Sequence, residues 1–195
     1  MPDSKKRIPI PESLTSSSFQ TQTETLQVKE RPSHLSIGVP KEITMQENRT
    51  ALVPSAVLTL VGRGHRILVE TGAGEKSSFS DHDYSEAGAD IAYSQEEVYK
   101  ADVILKVAPP TLKEIDLMHS DQILISPLQL PINSENYIKK LQAKRVIAIA
   151  MEYLKDDSHS FPIVRIMSEL AGLTAIQTAS ELLSTTSGGM GVLLG

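Results

Sequence analysis

The stretch LSIGVPKEITMQENRTALVPSAVLTLVGRGHRILVE, residues 35–70, decides the fold. It opens on a short aliphatic run, Leu35–Val39, and closes on another, Arg66–Glu70. Between them Pro54 suits the first position of a helix, where its missing N–H is no loss. Ala56, Val57, Leu60 and Val61 then recur on one helical face, and Gly62 and Gly64 close it. Strand, helix, strand is a βαβ unit, whose two strands run parallel.

The same texture continues toward the C-terminus. Further strands are expected near Asp102–Val107, Gln122–Ser126 and Val146–Met151. Short helices are expected over Asp81–Ala87, Ser94–Lys100 and Ser134–Ala143, with Ser80 and Ser94 as caps for the first two. Pro109-Pro110 ends the third strand and forces an extended exit. The longest helical pattern is Met167–Ser184, whose broad apolar face includes Ala171, Ala175 and Ala179. Small residues there let a second helix approach closely, which makes it a candidate interdomain or intersubunit helix. The fold class that follows is α/β: a Rossmann-like, doubly wound, mostly parallel sheet with flanking helices and a long C-terminal crossover helix.

Residues 1–34 have a different character. Seventeen of these 34 positions are Ser, Thr, Gln or Pro, and their few apolar residues keep no period, so they read as a flexible N-terminal arm. Residues 35–166 form the α/β domain. Residues 167–195 form the crossover helix and the start of a further domain, because Val192-Leu193-Leu194-Gly195 reads as an aliphatic strand just beginning and therefore as the sign of a fragment.

Composition narrows the function. With 40% hydrophobic and 22% charged residues but only 4% aromatic and no Trp, the chain is globular with an aliphatic core. A formal charge of −5 and the lack of a large Lys/Arg cluster argue against nucleic acid. The absence of Cys excludes disulfides and thiol chemistry and fits a cytoplasmic protein. No run approaches the roughly 20 apolar residues of a bilayer span, so no membrane insertion is expected. The five His residues lack metal-ligand spacing, and no metal is expected.

Four features carry chemistry. Lys106 sits at the carboxyl end of the Val103-Ile104-Leu105 strand, where open α/β sheets bind ligands. An ammonium there needs an anion, either a structural carboxylate or a substrate. Arg49 lies in the long connection after the first strand and can converge on the same crevice, where guanidinium grips a carboxylate by two parallel hydrogen bonds; alone, it would be a solvated loop arginine. Gln129 follows the fourth strand on the same rim, able to donate and accept hydrogen bonds but with no proton to exchange near neutral pH. Thr71–Ser77 offers Gly72 and Gly74 of a dinucleotide loop but has Ser77 in place of the third glycine, and it reads better as a tight turn.

Read together, Ile37–Ile43, Glu47–Pro54, Val69–Gly74, Gly88-Ala89, Leu105–Val107, Met167–Gly172 and Gly188–Gly195 resemble alanine dehydrogenases and the transhydrogenase α chain, over about residues 35–195. The ending Ser187–Gly195 favours the alanine dehydrogenase branch. The resemblance implies a substrate domain leading by a long helix into a nucleotide-binding domain, with catalysis in the cleft between them. It also implies reversible oxidative deamination of L-alanine to pyruvate and ammonia with NAD as hydride acceptor, in a homo-oligomer. Arg49 and Lys106 would bind the carboxylate and keto oxygen, with Lys106 and Gln129 at the catalytic position. Met167 and Ser168 would line the nicotinamide, and the rest of NAD would be bound mainly by a C-terminal domain.

One departure from the family is Pro127-Leu128-Gln129-Leu130, where alanine dehydrogenases carry Tyr-Leu-His-Leu with a catalytic His. Gln129 can hold a substrate but cannot act as acid or base. The other is the lack of a complete G-x-G-x-x-G followed by its acid, so the chain alone is expected to be inactive. Two alternatives follow: the N-terminal part of a transhydrogenase α subunit, whose chemistry needs no proton transfer on an amino acid, and a non-catalytic carboxylate-binding or oligomerising fragment.

Overall fold

The computed structural model describes residues 34–194, so the N-terminal arm apart from His34, and Gly195, lie outside the described residues. Six strands form one parallel sheet: β1 Ser36–Val39, β2 Arg66–Glu70, β3 Asp90–Ala92, β4 Val103–Leu105, β5 Ile123–Ser126 and β6 Ile147–Ala150. The helices are α1 Pro54–Gly62, α2 Asp81–Glu86, α3 Gln95–Val98, α4 Leu112–Leu117, α5 Glu135–Lys144 and α6 Pro162–Leu183.

The spatial order is β3-β2-β1-β4-β5-β6, the doubly wound order in which the chain reverses direction of travel between β1 and β4. Every adjacent pair is parallel, with Val39 beside Val69, Gly38 beside Ile104 and Ile125 beside Ile149. The expected Rossmann-like fold is therefore present, and among the described residues its sheet is wholly parallel. Alternate residues divide two cores between the faces. Val39, Ile67 and Val69 pack with Val57 and Tyr84 on one side, while Ile104 and Leu124 pack with Ile115, Tyr137 and Leu141 on the other. Gly38 has to be glycine on the second face, since a Cβ there would stand 2.6 Å from the Val98 carbonyl oxygen where α3 lies on β1.

The expected helices stand close to where their caps put them. Pro54 opens α1, and Gly64 follows its end with φ +89°. Ser80 begins α2 with a reciprocal capping box to Asp83, and Ser94 and Ser134 accept the N3 amides of α3 and α5. Three features depart from the sequence reading. β3 was not expected, because three residues carry no readable period. After the extended exit at Pro109-Pro110 the chain turns into α4, nucleated by a capping box between Thr111 and Glu114. The long helix begins at Pro162 rather than Met167, with proline at its first turn.

No residue of α6 is buried, and Leu170, Leu173, Ile176 and Leu182 are more than half exposed. Among the described residues no helix is long and apolar enough to cross a membrane.

Candidate functional site at the sheet's switch point

The chain leaves the adjacent parallel strands β1 and β4 toward opposite sides of the sheet, and this reversal opens a crevice beyond their carboxyl ends. β1 runs out through Pro40 and Lys41 into Glu42, and β4 runs out into Lys106. The two meet across the reversal: Lys106 Nζ donates to Glu42 Oε2 at 2.9 Å. It donates equally to Glu114 Oε1, also at 2.9 Å.

All three side chains are sealed, with exposures of 1% for Lys106, 4% for Glu42 and 1% for Glu114. Each carboxylate has a second duty. Glu42 Oε1 accepts the Val107 N–H at 2.6 Å, fastening the end of β4 to the loop after β1. Glu114 Oε2 accepts the Thr111 N–H at 2.7 Å to cap α4, while its Oε1 also takes the Tyr99 hydroxyl at 3.2 Å. Burial, reinforced by the Glu114 charge, pushes the Tyr99 phenol far up, so it remains a donor. At the end of β2, burial raises the Glu70 carboxyl above its ordinary range, although it accepts the Lys41 N–H at 2.8 Å and feels the Lys106 charge.

Of the two anions that could meet Lys106, the folded chain supplies the structural one twice over. In this arrangement the ammonium has no open face, and a substrate oxygen reaches it only by displacing Glu42 or Glu114.

Arg49 is an accessible cation of the rim, its side chain 53% exposed. Its guanidinium grips Glu47 in fork geometry, Nε to Oε1 at 2.8 Å and Nη2 to Oε2 at 2.7 Å. This bond holds the Glu47 carboxyl below its usual range and raises the guanidinium, to which the more distant Glu42 charge also contributes. Arg49 thus sits within the field of the caged triad, and its third nitrogen, Nη1, lies 3.7 Å from Met167 Sδ on α6.

The Arg49 loop is pinned from below. Lys76 Nζ donates to the Glu47 carbonyl at 3.1 Å and Ser77 Oγ to the Asn48 carbonyl at 2.6 Å, while the Tyr84 hydroxyl donates to the Leu52 carbonyl at 2.7 Å. The glycine turn after β2 thereby acquires a role that its sequence did not disclose: it braces the loop that presents Arg49. As expected, it is a tight turn, with a single 3₁₀ turn over Glu75–Ser77. The Gly72 N–H is spent on Asp81 Oδ1 at 2.8 Å, and Glu75 stands beside the turn, so it does not fit a pyrophosphate.

Met167 and Ser168 share an open groove with Pro127, Met151 and Glu152, which joins α6 to the loop after β5. Gln129 stands exposed in that loop with φ +46°. Arg49, Met167, Ser168 and the Gln129 loop are thus gathered at one end of the sheet, and Arg49 feels the charge of Glu42, the partner of the enclosed Lys106. Sequence reasoning did not single out Glu42, Glu114 or Glu152. Thr111-x-x-Glu114 was readable as a capping box, but nothing local marked Glu42 or Glu152, whose partners are 64 and 24 residues away.

Residues 38–171 match the family model described as "Alanine dehydrogenase/PNT, N-terminal domain". The chain is 42% identical over 161 residues to "Alanine dehydrogenase 2" of Staphylococcus aureus strain USA300, covering 83% of this chain and 43% of that protein. The relative from strain Mu50 gives the same figures. Among solved structures, an L-alanine dehydrogenase superposes with a TM-score of 0.78 at 39% identity, covering 83% of this chain and 44% of that one. A transhydrogenase from Sinorhizobium meliloti gives a TM-score of 0.57 at 31% identity over 61% of this chain and 35% of that one. The chain spans less than half the length of the relatives it matches. On the family match and these identities, this chain belongs to the alanine dehydrogenase/PNT N-terminal domain family.

Proposed function

We propose that this chain is the substrate-binding N-terminal part of an NAD-dependent alanine dehydrogenase, converting L-alanine to pyruvate and ammonia when joined to a nucleotide-binding domain. The observation that carries this reading is the accessible Arg49 guanidinium, held by a braced loop above the β1/β4 reversal and 3.7 Å from Met167. A small 2-oxo acid brings one carboxylate, which a guanidinium can take by two hydrogen bonds once Glu47 turns aside. Lys106 acts through Glu42, fixing the floor of the crevice, and touches a substrate oxygen only when Glu42 or Glu114 is displaced. The Gln129 carboxamide orients the ligand from the opposite rim, and because it exchanges no proton, the water and proton transfers of the deamination fall to a carboxylate of the nucleotide-binding domain.

NAD supplies the hydride acceptor when bound. The described residues give it no phosphate cradle, so its nucleotide is held mainly by a C-terminal domain, with Met167 and Ser168 against the nicotinamide edge. The apolar exposure of α6 supports burial against a second copy in a homo-oligomer.

The transhydrogenase reading draws on Gln129, which cannot exchange a proton. The higher TM-score of the alanine dehydrogenase structure favours the first. Titrating the purified chain with pyruvate, with NAD and with both separates them. Pyruvate binding without measurable NAD binding and without alanine-dependent NADH formation is expected; NAD binding with no response to pyruvate supports the transhydrogenase branch. Robust turnover of alanine by the 195-residue chain would refute the division of labour.

A further inference from the structure

The loop after β5 is unusually constrained for an exposed segment. Gln129 is in the left-handed region at φ +46°, which a non-glycine side chain enters only when its surroundings hold it there. Four backbone groups around it are tied down. Glu152 Oε1 accepts the Leu128 N–H at 3.0 Å and the Gln129 N–H at 2.8 Å, and Oε2 approaches the Leu128 N–H at 3.2 Å. The Leu128 carbonyl accepts from the Asn133 side chain, and the Gln129 carbonyl accepts the N–H groups of Ile132 at 2.9 Å and Asn133 at 3.1 Å. Among the described residues the Gln129 carboxamide itself makes no hydrogen bond. A strained backbone fixed at every polar group, presenting an uncommitted side chain, is how a preorganised ligand contact is built.

The carboxylate that does the fixing lines the groove of Met167 and Ser168. We infer that Glu152 is a positioning residue, which locks the Leu128–Gln129 peptide so that the Gln129 carboxamide is aimed at a ligand in the switch-point crevice. The inference rests on the proposed binding of a small carboxylic acid there. Glu152 acts as a hydrogen-bond acceptor rather than as a charge or a base: both nearest donors are backbone amides, and a glutamine oxygen can accept the same two bonds.

The test uses NMR on the 195-residue chain and on its E152Q, E152A, Q129A and E152A/Q129A variants, following amide exchange at residues 128 and 129 and shifts on adding pyruvate. E152A is expected to raise exchange at both amides at least tenfold and to weaken pyruvate binding as much as Q129A does, with the double variant no weaker than either single one. E152Q is expected to restore both readouts to within about twofold of wild type. Unchanged exchange in E152A, or an E152A loss that adds fully to that of Q129A, overturns the inference, and an E152Q loss as large as that of E152A overturns the acceptor role. If wild type ignores pyruvate while E152A still loses its protection, the substrate reading fails and the locking of Gln129 stands.

Discussion

At the scale of the residue, Lys106 is instructive because its meaning is set by partners that are remote in sequence. Its place at a strand end was legible, but whether protein or substrate met the ammonium was not, since Glu42 and Glu114 reach it only through the crossing of β1 and β4 and through α4. Removing one partner of a buried charged cluster leaves the others uncompensated. K106M is expected to lower the free energy of unfolding by about 3–5 kcal/mol in urea denaturation, while the neutral triple variant E42Q/K106M/E114Q recovers most of it. A K106M protein as stable as wild type would remove the triad from the account. Glu70 gives a pH-dependent counterpart. Its folded carboxyl holds a proton more tightly than an unfolded one, so its favourable contribution is full below the ordinary carboxylate range and is lost as pH rises through the raised folded value. E70Q is therefore expected to match the wild-type Tm at pH 4 and to exceed it at pH 7. A lower Tm for E70Q at pH 7 contradicts this.

At the scale of the element, caps and turn residues account for what the sequence displayed. Pro54, Ser80, Ser94 and Ser134 begin helices where their local chemistry places them, because a cap acts within four residues and needs no tertiary partner. The edge strand β3 escaped because its three residues become a strand only by pairing with β2. Helix α4 escaped because two prolines hid the capping box directly behind them. That box also orients Glu114 toward Lys106, so T111A is expected to cost about 1 kcal/mol of stability by denaturant titration. The strand β1 has its own sensitive point at Gly38. G38A drives a methyl group into the Val98 carbonyl and is expected to cost about 1–3 kcal/mol, whereas G62A, with open space around it, should cost far less.

At the scale of the whole molecule, the parallel sheet with a single reversal fixes one end as the place for a ligand, and the chain delivers Arg49, Met167, Ser168 and the Gln129 loop to it from segments more than 100 residues apart. Alternating strands and helices disclosed this architecture. The enclosure of Lys106 by two carboxylates became visible only with the fold, and it leaves Arg49 the more exposed cation at that end, the one the proposed function assigns to a small acid. Isothermal titration of pyruvate into wild type, E47Q and R49A addresses that most directly. Freeing the guanidinium in E47Q should tighten binding several-fold, and R49A should weaken it at least tenfold, about 1.4 kcal/mol or more for a charge-assisted pair. Pyruvate binding R49A as tightly as wild type would contradict the account.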